Sequence, residues 1–140
     1  MSAYVIDASV VVKWFIPESD SDSAARLRKW GLEIHAPEFL LLEVGNVFWK
    51  HLRQGKLTTA VADEAIEALE VAPIRWHATG PLFAQAFRIA KETQRTVYDC
   101  TYLALALQVQ RPLVTADRKF YDAIQTGPFA SSVIWIGDIP

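Results

Sequence analysis

The stretch Ala3-Tyr4-Val5-Ile6-Asp7-Ala8-Ser9-Val10-Val11-Val12 indicates how this chain folds. Residues 3–7 are predicted to form a short buried strand, because an apolar run is closed by a single acid. Residues 10–12 begin a helix directly after it. A strand that leads straight into a helix is typical of the β-α units that build parallel sheets.

The same alternation continues along the rest of the sequence. Further helices are predicted over residues 20–30, 38–53, 58–70, 81–92, 97–110 and 118–124. Further strands are predicted over residues 34–36, 74–76, 113–115 and 133–136. Expected caps are Ser19 or Ser21 and Thr58 or Thr59 at helix starts, with Gly31 and Gly55 at helix ends. The predicted fold class is α/β, a mostly parallel central sheet flanked by helices, in one domain over residues 1–140.

The composition is that of a globular protein. Hydrophobic residues make up 51% of the 140 residues and charged residues 21%. Fourteen basic and sixteen acidic residues give a net charge of −2, which argues against a protein that coats nucleic acid through a broad positive surface. With one cysteine, neither an internal disulfide nor a cysteine zinc site is expected.

The sequence shows no sign of a membrane or export segment. Its apolar runs are shorter than the ~20 residues that span a bilayer. Asp7 interrupts the amino-terminal apolar run, and no basic leader precedes it, so a signal peptide is not expected. A cytoplasmic location is therefore predicted.

Four acids lie where a folded domain would normally place apolar residues. They are Asp7, Glu43, Asp99 and Asp117. Burying an unpaired carboxylate costs several kcal/mol unless a cation or a proton compensates it. Four such acids in one small chain suggest a shared divalent cation.

The predicted elements give a reason for these acids to meet. Asp7 and Asp117 each follow a strand, and ligands of parallel α/β sheets bind beyond the carboxyl ends of strands. Glu43 and Asn46 are three residues apart on one helix and share a face. Asp99 lies in the first turn of its helix. Oxygen ligands favour Mg²⁺ or Mn²⁺ over zinc, so we expect one of these two ions.

Ordinary structural roles remain open for the same acids. Asp7, Asp99 and Asp117 are each placed to start or cap a helix, with Asp99 before a helix beginning at Cys100. The corresponding structural role for Glu43 is a side chain that extends from the edge of its helix into solvent. Cys100 is predicted to be a small buried residue, and the five tryptophans to be core or partner surface. Of these, Trp14 and Trp49 are also candidates for stacking on bases.

Four segments of the sequence resemble a known family. They are VIDASVVVKWFIPE (5–18), PEFLLLEVGNVFWK (37–50), TVYDCTYLALAL (96–107) and LVTADRKFY (113–121). In this order they resemble PIN-domain ribonucleases, above all the VapC-type toxins of bacterial and archaeal toxin–antitoxin pairs. The resemblance runs from Tyr4 to Ile136 and implies a PIN-like three-layer fold.

The resemblance also implies roles for individual residues. It makes Asp7, Glu43, Asp99 and Asp117 the metal-binding catalytic acids, with Asp7 and Asp99 most like direct ligands. Ser9, Asn46 and Thr115 match the polar positions that support those acids, and Asp122 is the candidate for an additional acid. The basic residues chosen for their closeness in sequence to the acidic motifs are predicted to contact RNA phosphates; they are Lys13, Arg95, Arg118 and Lys119.

The function implied is that of a Mg²⁺-dependent endoribonuclease toxin. Water activated by the metal would attack the scissile phosphorus and leave a 5′-phosphate and a 3′-hydroxyl. The expected substrate is a structured RNA such as a tRNA or ribosomal RNA loop, since loops expose readable bases. The expected partners are a cognate antitoxin, presenting a basic side chain to the carboxylates, and a second copy in a homodimer.

Two other functions remain open from the sequence. Asp7 at a strand end is compatible with aspartyl phosphoryl transfer. Haloacid-dehalogenase-like enzymes, however, place a second Asp where this chain has Ser9, and the acidic pair and lysine of receiver domains are not evident. The chain would otherwise be a non-catalytic PIN-like module that binds RNA or protein. Such modules usually lack one or more of the four acids, and here all four are present.

Overall fold

A five-stranded parallel sheet forms the centre of the structure, a computed structural model that describes residues 2–29 and 31–140. The strands are β1 (Ala3–Ile6), β2 (Glu33–Pro37), β3 (Ile74–His77), β4 (Leu113–Thr115) and β5 (Val133–Trp135). Their order is β3-β2-β1-β4-β5, and every neighbouring pair is parallel. This confirms the predicted α/β class. Trp30 lies outside the described residues, so its predicted role stays a prediction.

Helices connect the strands. In the described residues they are α1 (Ala8–Phe15), α2 (Ser21–Arg26), α3 (Phe39–Arg53), α4 (Thr59–Val71), α5 (Phe83–Thr93), α6 (Val97–Val109) and α7 (Arg118–Gln125). The right-handed crossovers that parallel strands require place α1–α4 on one face of the sheet and α5–α7 on the other. None of these helices has both the length and the apolar character needed to cross a bilayer.

Several helices start at the residues that the sequence suggested. Thr58 caps α4 by accepting a hydrogen bond from the Val61 amide at 3.2 Å. Asp7 caps α1, and Asp117 caps α7. These two acids therefore have the structural role that the sequence left open, and this role does not conflict with a catalytic one.

Other boundaries differ from the predictions. The helix predicted over 20–30 ends at Arg26, because the Leu27 and Arg28 amides bond three residues back and the chain leaves the α-helical pattern. No serine caps it: Ser21 Oγ instead accepts a hydrogen bond from the Glu18 amide. Asp99 is not the cap of its helix, since Thr96 takes that position.

Two further boundaries shift by one or two residues. Pro81 lies in a 3₁₀ turn (Gly80–Leu82), and α5 begins only at Phe83. The last strand ends at Trp135 because Ile136 begins another 3₁₀ turn.

The most deeply buried helix is α6. Every residue from Cys100 to Ala106 is buried, and the helix packs against α5 and the sheet. Cys100 is a fully buried thiol within it, as predicted. The amino end of α6 reaches the carboxyl edge of the sheet, which brings Asp99 to the same edge as Asp7 and Asp117.

Candidate active site

A cleft opens where the strand order of the sheet reverses. From β1 the chain moves outward to β2 and β3, and later returns to the other side of β1 to form β4 and β5. The carboxyl ends of β1 and β4 therefore flank a topological switch point, where α/β proteins bind ligands. Asp7 directly follows β1, and Asp117 comes two residues after β4.

All four predicted acids line this cleft, which has a volume of about 330 Å³. Its lining also includes Ser9 and Lys13, both predicted as site residues. Two polar residues that the sequence analysis did not single out complete it, Glu18 and Tyr102. Tyr102 had a detectable signal, because it lies three residues after Asp99 and hence on the same face of α6. Glu18 follows the end of α1 and carried no such signal.

Asp7 is held by hydroxyl groups on both carboxylate oxygens. Ser9 Oγ donates to Oδ1 and Thr115 Oγ1 donates to Oδ2, each at 2.5 Å. The Val10 amide also bonds to Oδ1 at 3.3 Å. With 8% of its surface exposed, Asp7 is a rigidly placed, buried acid.

The same hydroxyls connect the two turns that carry Asp7 and Asp117. Ser9 Oγ accepts a hydrogen bond from the Ala116 amide at 2.9 Å. Thr115 Oγ1 accepts one from the Asp117 amide at 3.1 Å. The spacing between the β1–α1 and β4–α7 turns is therefore fixed by side chains as well as by strand pairing.

The acids affect one another's ionisation. Burial raises the pKa of Asp7 to about 7, with a smaller contribution from the charge of Asp99 and against the hydroxyl bonds that lower it. Burial also raises the pKa of Glu43, and repulsion from Asp99 adds to this rise. The pKa of Asp99 is raised by burial as well, with added repulsion from Asp117. Without a cation, Asp7 therefore keeps its proton to a higher pH than a carboxylate in water does.

Glu43 and Asp99 each have a specific neighbour. The Tyr102 hydroxyl donates to Glu43 Oε1 at 2.5 Å. An Arg95 guanidinium nitrogen lies 3.6 Å from Asp99 Oδ2, and this charge partly offsets the rise in the pKa of Asp99.

Of the four predicted phosphate contacts, Lys13 lines the cleft. Its side chain is only 8% exposed, and Nζ lies 3.6 Å from Glu18 Oε2. Arg118 instead covers the Trp135 ring, 3.8 Å from its centroid, and pairs with Asp122. Lys119 is exposed on α7. Arg95 contacts the site through Asp99.

Other predicted residues lie outside the cleft lining. Asn46 and Asp122 are exposed and do not line it. Trp14 donates its indole N–H to the Ala24 carbonyl at 2.8 Å, which anchors it between α1 and α2. Trp49 is 56% exposed on α3, with Arg53 beside its ring. The roles proposed for Asn46 and Asp122 stay predictions.

The donor atoms of the cleft fit a hard cation held by few protein ligands. All four acids offer oxygen, which suits Mg²⁺ or Mn²⁺. Within residues 2–29 and 31–140, however, no three acidic, histidine or cysteine side chains are close enough together to hold one ion. Mg²⁺ commonly keeps several waters and takes only one or two carboxylates, with substrate phosphate completing its shell. The arrangement therefore fits Mg²⁺ better than a closed structural metal site.

The family of the chain follows from this fold and from its sequence relatives. The PIN domain family model matches residues 4–124. The chain therefore belongs to the PIN-domain family. Within it, the chain is a homologue of VapC ribonucleases: it is 33% identical over 117 residues to Ribonuclease VapC3 of Pyrobaculum aerophilum, covering 82% of this chain and 89% of that one.

Solved structures share the fold. A protein from Pyrobaculum aerophilum superimposes with a TM-score of 0.71 at 24% identity, covering 97% of this chain and 85% of that one. VapC20 of Mycobacterium tuberculosis, a toxin that cleaves the sarcin-ricin loop, gives 0.65 at 17% identity, with coverages of 86% and 94%. A toxin–antitoxin complex from Klebsiella pneumoniae gives 0.67 at 14% identity, with coverages of 97% and 99%.

Proposed function

We propose that this chain is a Mg²⁺- or Mn²⁺-dependent endoribonuclease and the toxin of a toxin–antitoxin pair. The observation that carries the proposal is the single cleft that Asp7, Glu43, Asp99 and Asp117 line at the switch point of the sheet. The similarity to VapC3 supports a ribonuclease, and the shared fold of the toxin–antitoxin complex agrees with an antitoxin partner.

The acids would hold the cation in a definite order of importance. Asp7 and Asp99 are proposed as the direct ligands. Glu43 is proposed as the next in importance, through a water that the ion carries, and Asp117 as acting through water or a second ion. When bound, the cation would activate a water for attack on the phosphorus and neutralise charge on the phosphoryl oxygens. It would also compensate the burial of these carboxylates and, to a smaller extent, their mutual repulsion, which together raise the pKa of Asp7 and of Asp99.

The protein itself would place the RNA. Lys13 is the basic side chain in the cleft lining, so its ammonium is proposed to bind a phosphate oxygen next to the scissile bond. Glu18 holds that ammonium at the cleft until the substrate arrives. Ser9 and Thr115 keep the Asp7 carboxylate in one orientation, so little reorganisation is needed when RNA binds.

The partners and substrate belong to the same proposal. The RNA would be structured, with the cut in an exposed loop, and the protein would act in the cytoplasm as a homodimer. The cognate antitoxin would block the cleft with a basic side chain, because a cation there compensates the clustered carboxylates.

The two alternative functions receive less support. In aspartyl phosphoryl transfer Asp7 would be the nucleophile, yet both of its oxygens accept hydroxyl hydrogen bonds, which suits a fixed ligand better. A non-catalytic PIN-like module would not need four acids at one cleft.

The test is RNA cleavage by the purified chain. We expect cleavage of structured RNA with Mg²⁺ or Mn²⁺ and none with excess EDTA. Asp7→Asn and Asp99→Asn should lower cleavage to background, whereas Asp63→Asn, which changes an exposed acid on α4, should cleave like the wild type. Cleavage that persists in EDTA, or in both site variants, would contradict the metal mechanism.

A further inference from the structure

We infer that Tyr102 is a positioning residue that sets the orientation of Glu43 for divalent-ion binding. This inference rests on the proposed function and concerns a residue outside the four acids. Its starting point is the 2.5 Å hydrogen bond from the Tyr102 hydroxyl to Glu43 Oε1. Tyr102 lines the cleft, yet only 2% of its surface is exposed, so its hydroxyl reaches the site from the core.

The hydrogen bond connects the two helical layers of the protein. Glu43 is on α3 and Tyr102 is on α6, and right-handed crossovers place these helices on opposite faces of the sheet. The helix α3 packs mainly against α1 and α4, whereas α6 packs against α5 and the sheet. Backbone packing between α3 and α6 therefore does little to fix the distance between Glu43 and Asp99, and side chains that cross over the sheet edge must do so.

Aromatic rings form the rest of this connection. Phe39, in the first turn of α3, stacks on Tyr98 of α6 with 5.2 Å between ring centroids. Its ring also lies 6.3 Å from that of Tyr102. These ring contacts hold the two helices together, but the hydroxyl of Tyr102 is the group that contacts a site carboxylate. The ring and the hydroxyl of Tyr102 therefore have separable roles.

The hydrogen bond also makes the two oxygens of Glu43 inequivalent. Oε1 accepts the phenolic hydrogen bond, so Oε2 would be the oxygen that is free of this bond and could bind a cation or its bound water. A freely rotating glutamate would lose rotamer entropy on binding the ion, and a glutamate held in place has already lost it. Partners that orient metal ligands in this way commonly change metal affinity or activity by about 10- to 100-fold when removed.

The decisive variant is Tyr102→Phe, which removes one oxygen and keeps the ring. We expect its Mn²⁺ affinity, measured by electron paramagnetic resonance and calorimetry, to fall about 10- to 100-fold. RNA cleavage should recover partly at high Mn²⁺, because the acids themselves remain. The matched control is Tyr98→Phe, which removes the hydroxyl of an exposed tyrosine four residues earlier on the same helix. This variant should bind Mn²⁺ like the wild type.

A double-variant comparison separates positioning from a general loss of structure. If Tyr102 acts through Glu43, adding Tyr102→Phe to Glu43→Gln should cause little further loss of Mn²⁺ affinity. Additive losses would overturn the inference. If Tyr102→Phe does not fold, Glu43→Asp provides the same test, because it withdraws the carboxylate from the hydroxyl by one methylene. Mn²⁺ binding by Glu43→Asp at wild-type strength would then overturn the inference.

The outcomes distinguish this inference from the proposed function. A wild-type chain that binds Mn²⁺ and cleaves RNA, together with a Tyr102→Phe variant that does both equally well, would overturn the role of Tyr102 alone. A wild-type chain that neither binds Mn²⁺ nor cleaves RNA would overturn both.

Discussion

Asp7 combines two roles at the level of a single residue. Its carboxylate caps α1 through the Val10 amide and also faces the cleft, where it is held by Ser9 and Thr115. Asparagine caps helices about as well as aspartate, so Asp7→Asn removes the charge and keeps the cap. Alanine would remove both and would mix a loss of stability with a loss of chemistry.

The raised pKa of Asp7 predicts how stability depends on pH without a divalent ion. The native chain keeps the Asp7 proton up to about pH 7, whereas the unfolded chain releases it near its ordinary pKa of 3.8. The contribution of Asp7 to stability therefore decreases as pH rises from about 4 to 7, by up to several kcal/mol. Asp7→Asn cannot ionise, so its stability relative to the wild type should increase across this range.

Chemical denaturation in EDTA at pH 5 and pH 8 measures this effect. We expect the Asp7→Asn variant to gain relative to the wild type at pH 8 and to gain little at pH 5. Subtracting the free energy of unfolding of the wild type from that of Asp7→Asn cancels the titration of other groups. One such group is His77, whose pKa is lowered by burial. Asp63→Asn should show no such trend, because that carboxylate is exposed in the folded chain. A difference that stays constant across pH would contradict the raised pKa of Asp7.

At the level of elements, helix starts bring the acids to the cleft. Asp7 and Asp117 are themselves caps, and Asp99 lies in the first turn of α6, whose cap is Thr96. Thr96 Oγ1 accepts a hydrogen bond from the Asp99 amide at 3.0 Å. The position of Asp99 therefore depends on this cap.

Two equivalent cap substitutions separate stability from function. Thr96→Ala and Thr58→Ala each remove a threonine cap, and each should lower the free energy of unfolding by about 0.5–2 kcal/mol. Only Thr96→Ala should also slow RNA cleavage, because the Thr58 cap of α4 lies away from the cleft. Denaturation curves and cleavage rates of both variants check this. Equal cleavage by the two variants would show that the Thr96 cap does not affect Asp99.

At the level of the whole molecule, divalent ions should stabilise the fold. An ion bound only by the native chain adds about 2.7 kcal/mol at 100 times its Kd. The carboxylates must lose their protons before they bind it, so the effect should be larger at pH 8 than at pH 6. Asp7 and Asp99 have raised pKa values, so they are the groups from which ion binding would displace protons.

Thermal melting with and without Mg²⁺ measures this stabilisation. The wild type should show a clear upward shift of Tm at pH 8, whereas Asp7→Asn and Asp99→Asn should show little. Asp63→Asn should shift like the wild type. A Mg²⁺ shift that survives in both site variants would place the binding elsewhere on the protein.

The sequence by itself determined the class of fold and the four acids. Short apolar strands that each lead into a helix produce a parallel α/β sheet, because this periodicity leaves few other ways to bury the apolar faces. Acids within apolar segments were recognisable because burying a charge is costly. The short α2 was not predictable, since Leu27 and Arg28 leave the helix through local three-residue hydrogen bonds that the composition of the segment does not reveal.

Only the tertiary structure decided which acid each supporting side chain contacts. Tyr102 is 59 residues from Glu43 and Thr115 is 108 residues from Asp7 along the chain, so no local pattern relates them. Lys13 and Arg118 were both predicted to contact RNA phosphates. The tertiary structure distinguishes them, because Lys13 lines the cleft whereas Arg118 covers the Trp135 ring. The physical reason is that local sequence fixes strands, helices and caps, whereas contacts across the sheet edge depend on the strand order that packing selects.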